Sequence, residues 1–472
     1  MFDAYVAFQA KLRPTAFALI TPQRWATYGE LDADVNRFAA GLRDLGVTRE
    51  RGVVSIRIAN DYLTHVVLLA LARLGVVSSP HDDPSPDLRL VLAEAAGPGE
   101  LALTADWLKA TGRAEPRPVT PVRIGPDELI RVMLSSGTTR TARRVPRTWR
   151  MLESNTRTCA ATYCAGKPGR WVCLTGMSTG LGQSMTLAAW SLGEASVADY
   201  TPGQLAESLE ALRPSIVGVT PSFLRQLLAE LPAGLGVQAG LRIVSTGGLL
   251  APSLAREARL RLASEILITY GAAETGGSTM ADGAWLEDHP GAVGHPVPNV
   301  RVEVVDADGR PAAPGEQGEI RIFSDRQSDG YLGDPEATAQ VFRDGAFYPG
   351  DLGRLLPDGL LLIDGRVDDR MVVDSIKFLP DALEEVALAY PGVRDAAAYA
   401  APDARGIDVC WLAVAADADL DREGLARHIA RSSVPLPTVR FAWIEAIPRN
   451  AGGKIERRRL REETIAVLGG GR

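Results

Sequence analysis

Lysine is nearly absent from this chain. Of 51 basic residues in 472, only Lys11, Lys109, Lys167, Lys377 and Lys454 are lysine, and the rest are arginine. Cysteine is scarce too: Cys159, Cys164, Cys173 and Cys410 have no zinc-type spacing, and four in so long a chain make no disulfide framework. They are expected to be small buried hydrophobes. The five histidines, His65, His81, His289, His295 and His428, do not cluster in sequence, which argues against a histidine-built metal site. No excess of positive charge exists; the net charge is −7, giving no reason to expect nucleic acid or an anionic membrane as partner. The first 21 residues mix Asp3, Gln9, Lys11 and Arg13 with apolar residues, unlike a signal peptide. The most apolar stretch, Val66 to Val77, is broken by Arg73 and too short to cross a bilayer, so it reads as a buried helix. A cytoplasmic protein is expected. Its hydrophobic content of 46% and near-zero mean hydropathy are those of a globular chain with a sizeable core, long enough for two or three domains.

What is present alternates. Tyr28-Gly29-Glu30-Leu31 opens a helix with apolar positions at Val35, Phe38, Leu42 and Leu45, ending near Gly46. Val53 to Ile58 reads as a strand and Tyr62 to Leu74 as the next helix. Further strands are expected at 171–174, 215–219 and 241–244, a βα alternation that implies a largely parallel sheet in α/β layers. After Pro296 the texture changes to short runs at 300–306, 318–323, 345–348 and 360–363, separated by turns such as Asp308-Gly309 and Asp358-Gly359. These suggest antiparallel hairpins or a small barrel. A boundary is placed near residue 364, leaving a compact α+β unit at the end.

Five segments carry candidate chemistry. Ser135-Ser136-Gly137-Thr138-Thr139, continuing to Arg143, follows an apolar strand. Small hydroxyl residues around a glycine free backbone and side-chain donors for phosphate oxygens, although the segment lacks a P-loop's Gly-Lys-Ser/Thr ending and could be an ordinary polar turn. Tyr270-Gly271-Ala272-Ala273-Glu274 places a carboxylate and a flat ring after a strand; Glu274 suits Mg²⁺ on a nucleotide phosphate, and Tyr270 a base. Gly350-Asp351 sets a carboxylate after a tight turn, suited to both hydroxyls of a ribose or simply to the turn. Gly365-Arg366-Val367-Asp368-Asp369 lies at the proposed boundary, and Pro448 to Lys454 holds a lysine in a Gly-Gly turn. A compact ammonium on a flexible stem there, in a chain that otherwise writes arginine, suits a bridge between carboxylate and phosphate.

Taken in order, these segments resemble the adenylate-forming superfamily of acyl-CoA synthetases, peptide-synthetase adenylation domains and luciferases, across essentially the whole chain. The resemblance implies a large N-terminal domain (1–364) of layered α/β sheets plus a small barrel, and a small mobile α+β C-terminal domain (365–472). It implies a ligase that uses ATP and Mg²⁺ to join a carboxylic acid to AMP with release of pyrophosphate, then passes the acyl group on. By position, Ser135, Ser136, Gly137, Thr138 and Thr139 would hold phosphates, with Arg143 beside them. Glu274 would bind Mg²⁺, and Asp351 and Arg366 the ribose. Gly248, Tyr270 and Gly271 would line the adenine site. Met177, Leu181, Met185, Gly247 and Gly276 would line the acid pocket. Asp368 would be the hinge and Lys454 the catalytic lysine.

Departures sharpen the expectation. Arg140 stands where the family has glycine, Arg143 where it has lysine, and Ala273 where it has threonine. Asp374 and Ser375 replace family glycines in a loop that approaches pantetheine in CoA-using relatives, which weighs against ordinary thioester formation with CoA. The stretch 175–190 carries no acidic residue to pair with a substrate ammonium, and burying that charge alone is costly. A non-amino, aromatic or apolar acid is therefore expected, with CoA, a carrier protein or an amine as acceptor. The alternatives are a degenerate nucleotide or metabolite binder, and a relative that activates nitrite for diazotisation.

Overall fold

The computed structural model describes residues 2–58, 61–80, 83–94, 96–135, 142–367, 371–373, 376–378, 380–402, 408–432, 438–449 and 455–469. Two sheets dominate. The smaller has six strands: Glu100–Ala102, Leu88–Val91, Val53–Arg57, Val77–Ser79, Leu129–Leu134 and Arg144–Thr148, parallel except for the last pair. The larger has a parallel centre of Arg170–Cys173, Ile216–Val219, Arg242–Ser245 and Glu265–Ala272. Beyond Glu265–Ala272 it turns antiparallel through Gly276–Asp282, Ala292–Pro296, Leu361–Arg366, Asp351–Leu355 and Gln317–Ser324. The hairpin strands read from the sequence thus extend one fifteen-stranded sheet.

Local rules explain the elements. Helix Tyr28–Asp44 begins with a capping box, in which Thr27 accepts from the Glu30 N–H and the Glu30 carboxylate accepts from the Thr27 N–H at 2.8 Å. Its apolar face buries Leu31, Val35, Phe38 and Leu42. Helix Asp61–Arg73 is apolar on all sides, and Val66 to Ala72 are all buried, as expected for a helix enclosed within a layer. One core cluster joins it to Leu19 of the larger sheet, Val54 and Ile130 of the smaller, and Leu187 and Trp190 of helix Gly180–Leu192. These helices therefore lie between the sheets. Arg73, which interrupts the apolar run, is buried and paired with Asp3 and Asp32.

After residue 380 the chain forms a three-stranded sheet of Val393–Pro402, Asp408–Ala416 and Val439–Trp443. Alternate residues face opposite sides, as a strand's two-residue period requires. Ala396, Ala398 and Leu412 pack against helices Pro380–Leu388 and Arg422–Ala430, while Ala397 and Tyr399 pack with Leu460 of helix Arg457–Gly469. All four cysteines are buried thiols. Among the described residues no helix is long and apolar enough to cross a membrane.

Candidate active site

The proposed phosphate segment lies between two paired strands. Leu134 is in register with Arg144, the Ser135 N–H donates to the Arg143 carbonyl at 2.9 Å, and the Arg143 N–H donates to Ser135 Oγ at 3.1 Å. These contacts close the base of the loop; Ser136, Gly137, Thr138, Thr139 and Arg140 are outside the described residues. Arg144 anchors the returning strand by donating to fully buried Asp83 at 3.0 Å. The Arg143 guanidinium lies 5.1 Å from the Tyr331 ring centroid, within cation–π range.

Tyr331 leads from that loop to Glu274. Its hydroxyl donates to Glu274 Oε1 at 2.8 Å, and burial followed by the Glu274 charge pushes the phenol pKa upward. Glu274 itself is 5% exposed, in the turn between Glu265–Ala272 and Gly276–Asp282. Buried Arg147 holds that turn by donating to the carbonyls of Ala273 (3.1 Å), Glu274 (3.4 Å) and Arg326 (2.9 Å). Burial above all brings the Arg147 pKa down to about 10, with Arg326 adding to the shift and Glu274 opposing it. Neither Tyr331 nor Arg147 was singled out from the sequence. The signal for Tyr331 was local, a bulky ring between the turn glycines Gly330 and Gly333; for Arg147 there was none.

The second cluster is set by register. Asp351 begins a strand just after Gly350, whose φ of +76° lies in the left-handed region, and it faces Arg366 directly across the antiparallel pair. Arg366 donates to Asp351 Oδ1 at 3.0 Å, and the Tyr270 hydroxyl donates to Oδ2 at 2.6 Å. Tyr270 therefore uses its hydroxyl as well as its ring face, and burial ahead of the Asp351 charge raises its pKa well above normal. Tyr270 and Gly271 flank a bulge in the strand that ends two residues before Glu274, so both carboxylates belong to one region.

The candidate acid-pocket residues divide. Leu181 and Met185 pack over Gly218 with Cys173; a Cβ at Gly218 would lie 2.7 Å from Met185 Sδ and 3.1 Å from Leu181 Cδ2. Met177 is buried in a different cluster, between the sheets. Gly276, at φ +71°, lies against Asn155, whose Oδ1 would be 2.5 Å from an added Cβ. Asn155 Nδ2 donates to Ser184 Oγ, and both residues are buried. This neutral polar pair escaped sequence reading because its partners are 29 residues apart. Gly247 lies beside Thr220, and Gly248 beside Pro221 at the start of helix Pro221–Ala229.

Lys454, the expected hinge Asp368, and Asp374 and Ser375 lie outside the described residues. Arg449 pairs with Ile455 in an antiparallel bridge, and the Glu456 N–H donates to the Pro448 carbonyl at 2.9 Å, so the ends of the lysine-bearing segment are joined. Among the described residues no group of three or more His, Cys, Asp or Glu could hold a metal ion by itself. One buried carboxylate still fits Mg²⁺, which keeps waters and takes much of its coordination from substrate phosphates.

The AMP-binding enzyme family matches residues 6–96 and 83–332. The chain is 28% identical to a fatty acid–[acyl-carrier-protein] ligase of Mycobacterium marinum, over 98% of this chain and 97% of that one. It is 29% identical to a 3-hydroxybenzoate–CoA ligase of an Aromatoleum species, over 94% and 93%. In fold it is similar to the Bacillus subtilis O-succinylbenzoate coenzyme A synthetase solved with ATP and magnesium, with a TM-score of 0.81, 20% identity, and coverage of 97% and 98%. The chain belongs to the AMP-binding enzyme family, within the adenylate-forming superfamily, and is an AMP-forming ligase.

Proposed function

We propose that this ligase activates a non-amino, aromatic or apolar carboxylic acid as acyl-AMP and passes the acyl group to a thiol or amine. The observation that carries the reading is the pairing of Asp351 with Arg366 and Tyr270, in the same region as buried Glu274. A carboxylate held by a donor on each oxygen is fixed in orientation, which suits it to receive ribose hydroxyls. Ser135 to Thr139 and Arg143 take the phosphates. Glu274 holds Mg²⁺, which when bound screens phosphate charge. Gly248, Tyr270 and Gly271 border the adenine.

Adenylation requires a substrate carboxylate oxygen to attack the α-phosphorus while the bond to pyrophosphate breaks. Negative charge develops between two anions, and Lys454 supplies the ammonium that offsets it. The acceptor sulfur or nitrogen then attacks the acyl carbonyl, and AMP leaves. The residues around Gly218 and Gly276 favour a neutral acid: Leu181, Met185 and Cys173 are apolar or thiol, and Asn155 and Ser184 are uncharged. The 3-hydroxybenzoate ligase relative lends support to an aromatic acid. The same reading divides the chain into a core over 1–364 and a lid over 365–472 turning about Asp368.

The test is ATP–pyrophosphate exchange with Mg²⁺ across aromatic, aliphatic and amino acids. Exchange with one neutral acid supports the reading. Exchange only with α-amino acids would overturn the choice of substrate class.

A further inference from the structure

One carboxylate joins the C-terminal sheet to helix Pro221–Ala229. Asp395, in strand Val393–Pro402 of the C-terminal sheet, accepts from Arg449 Nη2 at both oxygens (2.9 and 3.0 Å) and from Arg449 Nε at 3.2 Å. It also accepts from Arg225 Nη1 at 3.2 Å, and Arg225 lies 170 residues earlier on helix Pro221–Ala229. Two guanidinium groups therefore share one carboxylate. The side chains of Arg225, Asp395 and Arg449 are 32%, 20% and 24% exposed, so the cluster is partly shielded from solvent.

Both ends of this bridge lead to candidate chemistry. Arg449 pairs with Ile455, the residue next to Lys454, so a fork-to-fork contact on Arg449 fixes the base of the lysine-bearing segment. Helix Pro221–Ala229 starts at the end of strand Ile216–Val219, and its N-cap Thr220 and first residue Pro221 lie beside Gly247 and Gly248. Its N-cap Thr220 accepts from the Phe223 N–H, which fixes the helix on that strand. A partly exposed ion pair adds little to global stability. Its greater effect is on geometry, because a small displacement of a catalytic group costs much rate.

We propose that Asp395 and Arg225 are positioning residues for adenylation, tying the base of the Lys454 segment to the helix that abuts the Gly247–Gly248 loop. The proposal rests on the reading of Lys454 as the adenylating lysine. Asp395 acts through Arg449 and touches no reacting atom. Removing Arg225 leaves the Asp395–Arg449 contact within the C-terminal sheet intact but releases it from the helix.

Three variants test this: Arg225→Ala, Arg225→Lys and Asp395→Asn. With the acid that supports exchange in the wild type, Arg225→Ala is expected to lower kcat for ATP–pyrophosphate exchange by roughly 3- to 30-fold, the range of coupling between contacting groups. KM for ATP and Tm should not change, and Arg225→Lys should recover most of the rate. Amide hydrogen exchange needs no acid: residues 448–456 should exchange faster in Arg225→Ala and Asp395→Asn than in the wild type. Unchanged kcat together with unchanged amide exchange would overturn the proposal, as would a fall in Tm that accounts for the lost rate. Wild-type protein that exchanges pyrophosphate with no acid would instead defeat the functional reading, and the amide exchange would still decide the bridge.

Discussion

At the scale of single residues, Asp351 shows how a site is made by register. Asp351 and Arg366 stand out in the sequence as isolated motifs, but only the strand pairing shows that they meet. The Tyr270 contact is different in kind. The sequence presents a ring, and the fold spends its hydroxyl on Asp351 Oδ2. Asp351→Ala removes the acceptor for Arg366 and Tyr270 and, on the proposed reading, for the ribose. Hydrogen bonds to a charged group are worth about 1.5–3 kcal/mol, so KM for ATP should rise by roughly 10- to 100-fold in steady-state exchange. An unchanged KM would remove Asp351 from the nucleotide site. Gly276→Ala meets two obstacles, a left-handed backbone and Asn155 Oδ1 at 2.5 Å from the new Cβ. It should lower activity with the acid more than binding of ATP alone, measured by comparing exchange with nucleotide titration. Asn155, Ser184 and Arg147 were not legible, because each acts on a partner far along the chain and belongs to no local pattern.

At the scale of elements, strong local signals were sufficient. Helix Tyr28–Asp44, the apolar helix Asp61–Arg73 and the short turn-bounded strands after Pro296 all form near the expected positions. How the later strands join the larger sheet was not legible, since pairing across distant segments leaves no periodicity. Helix Pro380–Leu388 carries a testable electrostatic conflict. Glu384 is buried against Arg457 at 3.0 Å and accepts from the Ala398 N–H at 2.7 Å, yet burial outweighs these and pushes its pKa up to about 7. A carboxyl with a raised folded pKa binds protons more tightly when folded. Its contribution to stability therefore falls as pH rises from about 4.5, the ordinary value, through about 7. Glu384→Gln imitates the protonated form, so its Tm relative to wild type should be higher at pH 8 than at pH 5. The opposite slope in thermal melts would mean that the Arg457 pairing prevails.

At the scale of the whole molecule, the ordered motifs identified the superfamily, and family membership bears that out. Composition argued against a histidine or cysteine metal centre and a disulfide scaffold and had the cysteines as small buried hydrophobes; all four are buried thiols. The features on which the account turns are local: the neutral polar pair Asn155–Ser184 beside Gly276, Arg143 against the Tyr331 ring, and an ion cluster linking the C-terminal sheet to helix Pro221–Ala229. The central claim is acid activation dependent on Lys454, the lysine that follows Gly452-Gly453. It is tested most directly by ATP–pyrophosphate exchange in wild-type protein and Lys454→Ala, with Mg²⁺ and a panel of carboxylic acids. The account predicts exchange with a neutral aromatic or apolar acid, reduced about 100-fold or more in Lys454→Ala, the scale of removing one preorganised charge-stabilising group. Exchange that is equal in the two proteins, or absent with every acid, would contradict it.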